Sequence, residues 1–239
     1  MIDVNDKVVM ISGANRGIGL AIARSLYKAG YSLSLGSRNI SSLENLIENS
    51  SEDRILNCHF DAMDKSTHKA WVKHTIDKFN KIDCLINNAG IVESVSVEDE
   101  EDNEDALDRM WTVNVKAPLS LTRLTLPYLK KSGSGRVVNV ASLAGKAVYG
   151  SSVGYSMTKF AAVALSHATR HGGWDHGVRC TALCPGYVAT DMTSEVESVS
   201  IDSMISPDDL AELVRTVISL SNTASIAELI VNCRPDIIA

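Results

Sequence analysis

Long apolar runs and an excess of basic residues are both missing from this sequence of 239 residues. Its formal net charge is −6, which argues against binding nucleic acid or an anionic membrane through bulk charge. No run approaches the roughly eighteen apolar residues of a membrane span. The start, MIDVNDKVVMISG, lacks the basic-then-apolar order of a signal peptide. We therefore expect neither a nucleic-acid partner nor a membrane partner.

Cysteine is too sparse and too irregularly spaced for a disulfide framework or a zinc site. The chain has 5 cysteines, an odd number, and the closest two are Cys180 and Cys184. Reduced thiols in the cytoplasm are therefore the expected state. The nearby histidines His167, His171 and His176 are explained by a helix end and a loop, so no metal site is predicted.

Apolar segments of two kinds alternate along the chain, and 45% of the residues are hydrophobic. Short, nearly continuous apolar runs predict strands at 7–13, 31–37, 54–62, 82–90, 135–142, 178–186 and 228–233. Helical spacing predicts helices at 18–30, 39–49, 65–80, 106–129, 153–171 and 207–221. Such alternation predicts an α/β domain with a parallel sheet of about seven strands and helices on both faces. No linker or repeat divides it, so residues 1–239 are expected to form a single domain.

The segment SGANRGIG (12–19) lies where the first strand turns into the first helix. Gly13, Gly17 and Gly19 let the backbone turn tightly and approach a pyrophosphate, whose charge meets the helix N-terminus. This turn predicts a dinucleotide cofactor.

The residues after the second strand favour NADP(H) over NAD(H). An acidic residue there would hold the adenosine 2′-hydroxyl of NAD, but the sequence is GSRN (36–39). Arg38 can pair with a 2′-phosphate through its planar guanidinium, and Arg16 can reach the same phosphate. Asp61, after the third strand, is placed to meet the adenine amino group, and NNAG (87–90) follows the fourth strand.

The segment GYSMTKF (154–160) places Tyr155 and Lys159 four residues apart, on one face of a helix. A lysine ammonium stabilises a neighbouring phenolate, so such a phenol can exchange a proton with a substrate. A pair of this kind also arises by chance, and by itself it is a weak signal.

Together these motifs resemble the short-chain dehydrogenase/reductase family, over roughly residues 7–192. The motifs occur in the family's order: SGANRGIG, Asp61, NNAG, Asn114 in TVNVKAP, Ser142 in NVASLAG, Tyr155 with Lys159, and PGYVATDM (185–192). The resemblance implies a single-domain Rossmann fold with a doubly wound parallel sheet. It also implies NAD(P)(H) as hydride carrier and the activity of a carbonyl reductase or alcohol dehydrogenase.

The resemblance further implies a catalytic tetrad of Asn114, Ser142, Tyr155 and Lys159. Tyr155 would be the general acid in reduction and the base in oxidation. Ser142 would hydrogen-bond the same substrate oxygen. Lys159 would stabilise the Tyr155 phenolate and hold the ribose hydroxyls, while Asn114 would steady Lys159 through a water.

The predicted binding sites lie around this tetrad. The cofactor set is Gly13, Asn15, Arg16, Gly17, Ile18, Gly19, Ser37, Arg38, Asp61, Ala62, Asn88, Ala89, Gly90, Tyr155, Lys159, Pro185, Gly186, Val188 and Thr190. Residues 191–206 are expected to form a lid over a substrate pocket. Its predicted lining is Val92, Leu143, Tyr149, Tyr187 and Met192, with Glu93 the only nearby charge, so we expect a small apolar carbonyl or alcohol substrate.

Several alternatives stay open. The same motifs would suit a non-catalytic nucleotide-binding regulatory protein, an NAD-dependent alcohol dehydrogenase, or an epimerase or dehydratase of the same fold. The C-terminal VNCRPDIIA (231–239) departs from the Asp-Gly-Gly-like turn of many family members, which leaves both a homodimer and a homotetramer open. The acidic segment 97–108 is interpreted as a solvated loop and first helical turn, and 170–177 as a surface turn anchored by Trp174.

Overall fold

The computed structural model describes residues 2–44, 46–47, 50–100 and 103–235. The strands in these ranges are β1 Val8–Ser12, β2 Ser32–Ser37, β3 Ile55–His59, β4 Cys84–Asn87, β5 Arg136–Val140, β6 Arg179–Pro185 and β7 Glu228–Val231. The α-helices are α1 Gly17–Lys28, α2 Lys65–Phe79, α3 Glu104–Trp111, α4 Ala117–Lys131, α5 Gly154–Gly173 and α6 Pro207–Ser219. Within the described ranges, no helix is long and apolar enough to cross a membrane.

The strands form one parallel sheet in the order β3-β2-β1-β4-β5-β6-β7. Strand β1 pairs with β2 on one side and with β4 on the other, so the chain winds outward from β1 in both directions. Ligands bind beyond the carboxyl ends of the strands where the winding direction changes. The prediction of a doubly wound parallel sheet is confirmed, and by this rule a ligand site is expected beyond the carboxyl ends of β1 and β4.

Helices cover both faces of the sheet. On β1, Val9 and Ile11 pack with α1 and α6, whereas Met10 packs with α2 and α4 on the opposite face. Side chains alternate across a strand in this way, and both faces of β1 are therefore buried. Helix α5 packs Ala162 against Ala182 of β6. Burial on both faces explains why the strands read as nearly continuous apolar runs.

The predicted helix over 39–49 is wrong in the part that the structure describes. A short 3-10 turn, Ile40–Leu43, follows β2 instead. It begins at Asn39, whose side chain accepts a hydrogen bond from the N–H of Ser41 at 3.1 Å. Local bonds of this kind compete with helix formation. Positions 45, 48 and 49 of the predicted helix lie outside the described residues.

The predicted helix over 106–129 is interrupted by one wide turn. Helices α3 and α4 are joined by the π turn Thr112–Lys116. Such turns insert into helices frequently at functional sites. This one carries Asn114 at its centre, which makes it a local marker of the site.

The segment 170–177 is more helical than the predicted surface turn. Helix α5 continues to Gly173, and a 3-10 turn then spans Trp174–His176. The Trp174 ring lies 3.6 Å from the guanidinium of Arg179 and 4.7 Å from that of Arg170. Through these stacking contacts Trp174 anchors the segment to α5 and β6, as predicted.

Candidate active site

The glycine-rich turn after β1 leaves no room for side chains. Gly13 and Gly17 have positive φ angles of 65° and 52°, which residues other than glycine rarely adopt. A β-carbon placed on Gly19 would lie 2.3 Å from the carbonyl oxygen of Gly13. The N-cap residue of α1, Arg16, makes no side-chain capping bond within the described part of the chain. This cradle and uncapped helix end fit the pyrophosphate of a dinucleotide.

Ser12, the last residue of β1, joins the glycine turn to the segment after β4. Its buried hydroxyl accepts hydrogen bonds from the N–H groups of Asn88 and Ala89 at 3.0 and 3.1 Å. The Asn88 side chain donates to the carbonyl oxygens of Ser12 and Gly13, each at 3.0 Å. The NNAG motif is therefore held against the glycine turn, beyond the carboxyl ends of β1 and β4.

The two arginines expected at a 2′-phosphate have different surroundings. Nη1 of Arg16 forms an ion pair with Oδ2 of Asp191 at 3.0 Å, although the two residues are 175 positions apart in sequence. Arg38 is exposed after β2, and its side chain pairs with no other residue that the structure describes. Arg16 is thus held by a carboxylate, while Arg38 is free.

Further predicted cofactor residues lie at the end of β2 and after β3, among them Asp61, which is expected to meet the adenine. Oδ1 of Asp61 accepts a hydrogen bond from the N–H of Met63 at 2.9 Å, and the Asp61 N–H donates to the Thr67 hydroxyl at 3.0 Å. Ala62 and Ser37 are both buried. Because β2 and β3 follow β1 in the strand order, these residues lie on the β2–β3 side of the glycine turn.

Tyr155 and Lys159 lie one turn apart near the start of α5. Lys159 is buried, and its Nζ donates to the carbonyl oxygen of Val140, the last residue of β5, at 2.9 Å. The same Nζ lies 5.4 Å from the centre of the Tyr155 ring. Tyr155 packs against a cluster that contains Val95 and Met110. The phenol and the buried ammonium therefore lie on one face of α5, where the phenol is a candidate proton donor.

Asn114 is held in the π turn by bonds from all parts of its side chain. Its Nδ2 donates to the carbonyl oxygen of Ile91 and its Oδ1 accepts from the Ile91 N–H, both at 2.9 Å. Nδ2 also donates to Oγ1 of Thr158 at 3.1 Å. A β-carbon placed on Gly90 would lie 3.3 Å from Oδ1 of Asn114 and 3.6 Å from Nζ of Lys159. Asn114 and Lys159 therefore converge on Gly90.

Ser142 follows β5 and caps the 3-10 turn Leu143–Gly145. Its hydroxyl accepts a backbone N–H of that turn at 3.1 Å and lies 3.5 Å from the carbonyl oxygen of Pro185. A β-carbon placed on Gly145 would lie 2.6 Å from the carbonyl oxygen of Lys159. The turn that carries Ser142 is thus packed against α5 at Lys159.

The segment after β6 returns to the glycine turn. Val188 is buried and forms a parallel bridge with Ile205. The bridge joins the chain just before the segment 191–206 to the end of that segment. A β-carbon placed on Gly17 would lie 3.3 Å from Cγ2 of Thr190. The predicted cofactor residues from the end of β6 onward therefore lead toward the glycine turn: Pro185, Gly186, Val188 and Thr190.

Three further predicted cofactor residues lie in the glycine turn and the NNAG motif: Asn15, Ile18 and Gly90. Asn15 and Ile18 are half-buried in the glycine turn, and Gly90 is half-buried after β4. The predicted set thus lies at the carboxyl ends of the strands of one sheet, in the segments that follow them and at the start of α5.

The predicted substrate region carries a charge pair rather than a single carboxylate. Nε of Arg109 donates to Oε1 of Glu93 at 3.0 Å, and Nη2 donates to Oε2. These hydrogen bonds hold the pKa of Glu93 below its ordinary value. Of the predicted apolar lining, Val92, Tyr149 and Met192 are about half exposed, Tyr187 is half-buried and Leu143 is buried.

Four residues that hold the site together do not stand out in the sequence: Ser12, Arg109, Thr158 and Asp191. Ser12 has a local signal, since a hydroxyl ends an otherwise apolar strand. Thr158 has one as well, since it lies between Tyr155 and Lys159 in the segment GYSMTKF. The partners of Arg109 and Asp191 lie in other elements and follow only from the topology.

A family model for the short chain dehydrogenase matches residues 7–200 of the chain. The chain belongs to the short-chain dehydrogenase/reductase family. It is accordingly an oxidoreductase of that family, and the single-domain Rossmann fold that the motifs implied is confirmed.

Individual members of the short-chain dehydrogenase/reductase family match almost the whole chain. An agropine synthesis reductase of Rhizobium rhizogenes is 46% identical over 226 residues, covering 95% of this chain and 52% of the relative. The chain thus spans about half the length of that relative. A 3-ketoacyl-(acyl-carrier-protein) reductase of Brucella melitensis, solved with NADH, has a TM-score of 0.87 and 26% identity, covering 97% of this chain and 98% of that one. An alcohol dehydrogenase of Thermococcus sibiricus, solved with 5-hydroxy-NADP, has a TM-score of 0.84 and 29% identity, covering 94% and 95%.

Proposed function

We propose that this oxidoreductase interconverts a carbonyl group and an alcohol, with Tyr155 as the general acid and base. The observation that carries the proposal is the position of Lys159, buried and bonded to the Val140 carbonyl oxygen while its Nζ lies 5.4 Å from the Tyr155 ring. A bound NADP(H) would supply or accept the hydride. Tyr155 would donate a proton to the substrate oxygen in reduction and remove it in oxidation.

The other tetrad residues would support that proton transfer. Ser142 would donate a hydrogen bond from its hydroxyl to the substrate oxygen as negative charge develops there. Lys159 would stabilise the phenolate and bind the ribose hydroxyls. Asn114 would steady Lys159 through a water, because its own side chain is already fixed by Ile91 and Thr158.

We also propose a preference for NADP(H) over NAD(H). Arg38 is exposed and unpaired in the described part of the chain, and Arg16 lies in the adjacent glycine turn. The segment 36–39 offers no carboxylate to a ribose 2′-hydroxyl. The two related structures were solved with different nucleotides, NADH and 5-hydroxy-NADP, so the proposal depends on the arginines. Asp61, Ala62 and the NNAG motif would complete the cofactor site.

The proposed substrate is a small, apolar ketone or aldehyde, or the corresponding alcohol. The half-exposed side chains of Val92, Tyr149 and Met192 offer apolar contacts, and the charge of Glu93 is balanced by Arg109. The segment 191–206 would close over this region as a lid. The name of the agropine synthesis reductase supports the reductive direction.

Assembly as a homodimer or homotetramer is part of the proposal. Met157 and Phe160 are each 44% exposed on α5, and neighbouring exposed apolar side chains suit a subunit contact. A location in the cytoplasm is proposed from the cysteines, because all 5 of them are free thiols.

The test is oxidation of NADPH with a panel of aldehydes and ketones, for the wild type and Tyr155→Phe. We expect turnover to fall roughly 10²–10⁴-fold in the variant. NADPH affinity should stay within about twofold, well below the tenfold change that 1.4 kcal/mol would cause. Tyr128→Phe on α4 is the matched control and should retain turnover.

Other outcomes of this test favour the alternatives. A wild type that binds NADPH but reduces no carbonyl would support the non-catalytic regulatory protein. Tighter binding of NADH than of NADPH would support the NAD-dependent alcohol dehydrogenase. Wild-type turnover in Tyr155→Phe would contradict the proposed mechanism.

A further inference from the structure

The ion pair of Arg16 and Asp191, called here the latch, connects the proposed lid to the glycine turn. Asp191 is the first residue of the segment 191–206, and its Oδ2 lies 3.0 Å from Nη1 of Arg16. In the described part of the chain this is the only salt bridge that the segment makes. The residue before Asp191, Thr190, packs over Gly17 of the same turn. The start of the lid therefore contacts the glycine turn.

The base of the lid is fixed independently of the latch. Ala189 donates its N–H to the carbonyl oxygen of Ile205 at 3.0 Å, and Ile205 donates its N–H to the carbonyl oxygen of Tyr187 at 2.9 Å. These backbone bonds close the loop at its two ends. The first turn of the lid, Asp191–Thr193, has its own hydrogen bonds, among them Thr193 N–H to the carbonyl oxygen of Thr190 at 3.1 Å. Opening the latch would therefore detach this turn from the glycine turn and loosen it without unfolding the base of the lid.

The latch is weak enough for Arg16 to exchange the Asp191 carboxylate for another anion. The Arg16 and Asp191 side chains are 68% and 74% exposed, and salt bridges in that setting contribute little to stability because water and salt screen them. A phosphate monoester carries more charge than a carboxylate and offers an arginine a bidentate contact. Arg38, the other arginine of the proposed site, has no competing partner among the described residues.

We infer that Asp191 is a specificity-determining residue that holds Arg16 in the free protein and yields it to the 2′-phosphate of NADP(H). This inference rests on the proposed NADP(H) preference. Asp191 contacts Nη1 of Arg16 and offsets part of the guanidinium charge, so the carboxylate and the phosphate compete for the same arginine. Phosphate binding therefore weakens the latch, and a closed latch weakens phosphate binding. The two effects are reciprocal, as in any coupled equilibrium. NAD(H), which has no 2′-phosphate, leaves the latch closed.

The first experiment measures the dissociation constants of NADPH and NADH by isothermal titration calorimetry. Asp191→Asn keeps the size of the side chain and removes its charge, and it should bind NADPH about two- to fivefold more tightly, with NADH unchanged. Asp202→Asn is the matched control, because Asp202 lies in the same segment without a salt bridge among the described residues. It should bind both nucleotides as the wild type does.

A double variant distinguishes an effect of Asp191 through Arg16 from simple repulsion between the Asp191 carboxylate and the phosphate. In an Arg16→Gln background, adding Asp191→Asn should leave NADPH affinity unchanged, because the arginine that the carboxylate holds is already gone. If the twofold to fivefold gain persists there, Asp191 acts by long-range repulsion and the latch inference is wrong.

The second experiment follows hydrogen exchange of the segment 191–206. Adenosine 2′,5′-bisphosphate, which carries the 2′-phosphate but no nicotinamide, should speed exchange near Asp191 in the wild type, whereas adenosine 5′-monophosphate should not. Asp191→Asn should exchange rapidly without either ligand. If the wild type binds neither NADPH nor NADH, the proposed function itself fails. If it binds NADPH and Asp191→Asn changes neither affinity nor exchange, only the latch is wrong.

Discussion

Nδ2 of Asn114 donates a hydrogen bond to Oγ1 of Thr158 at 3.1 Å, which ties the π turn to α5. The Thr158 hydroxyl donates in turn to the carbonyl oxygen of Tyr155 at 2.8 Å. Thr158 is fully buried, so these bonds do not compete with water. The threonine connects two proposed catalytic residues without facing the substrate, which makes it a positioning residue.

Replacing Thr158 with valine, which has the same shape, should lower kcat about tenfold. The change leaves a buried donor of Asn114 with one partner fewer, at a cost of about 1–3 kcal/mol. NADPH affinity should not change, because the side chain lies on the inner face of α5. Thr158→Ser keeps the hydroxyl and should restore most of kcat. A serine variant as slow as the valine variant, or a valine variant with normal kcat, would show that the hydroxyl has no positioning role.

Gly19→Ala should destabilise the protein and weaken nucleotide binding. The added carbon would meet the Gly13 carbonyl oxygen at 2.3 Å and the Asn88 side chain at 2.5 Å, so the turn must shift, at a cost of about 1–3 kcal/mol. Gly172→Ala on α5 is the control, because nothing lies within 4 Å of its added carbon. It should leave stability unchanged or raise it by about 0.5–1 kcal/mol. Denaturant unfolding of both variants measures the difference, and equal stabilities would contradict the close approach at Gly19.

Glu228 of β7 should make the stability of the protein depend on pH. Hydrogen bonds from Lys146 at 2.6 Å and His167 at 2.7 Å hold the pKa of Glu228 below its ordinary value. Because the folded state has the lower pKa, this stabilisation is complete above the ordinary glutamate pKa. It is lost as the pH falls through the folded-state value.

Glu228→Gln should therefore cost about 1 kcal/mol at neutral pH, with the difference from wild type shrinking as the solution is acidified. Urea unfolding at a series of pH values measures it. Glu44→Gln, at an exposed residue outside the salt bridges of the described chain, should show no such dependence. A constant difference between wild type and Glu228→Gln at all pH values would mean that the ion cluster does not form in solution.

The sheet could be predicted from the sequence because both of its faces are buried. Strands Val8–Ser12 and Arg179–Pro185 are buried at every position, and the sequence shows each as a short run in which apolar residues predominate. The segment 39–49 misled the prediction because its apolar spacing resembles a helix, whereas Asn39 and the serines after it bond their own backbone. The π turn at Thr112–Lys116 has no signature in helical periodicity.

The site could be predicted where one short segment carries its chemistry, as the glycine turn and the Tyr155–Lys159 pair do. Contacts between distant segments could not. The sequence predicts that Arg16 binds a phosphate but gives no sign of its ion pair with Asp191. That pair forms because the segment after β6 passes close to the glycine turn. Glu93 was expected to be the only charge near the substrate, but Arg109 reaches it from the next helix. Periodicity reports which face of an element is buried, but it carries no information on which polar side chains meet.

The most direct test of the central claim follows a labelled hydride. NADPH deuterated at its transferable position is incubated with the wild type and with a carbonyl that it reduces, and the alcohol is examined by mass spectrometry. The account predicts one deuterium on the carbinol carbon with the wild type, and almost no product with Tyr155→Phe at equal NADPH occupancy. An unlabelled alcohol, or a labelled alcohol formed at the wild-type rate by Tyr155→Phe, would contradict it.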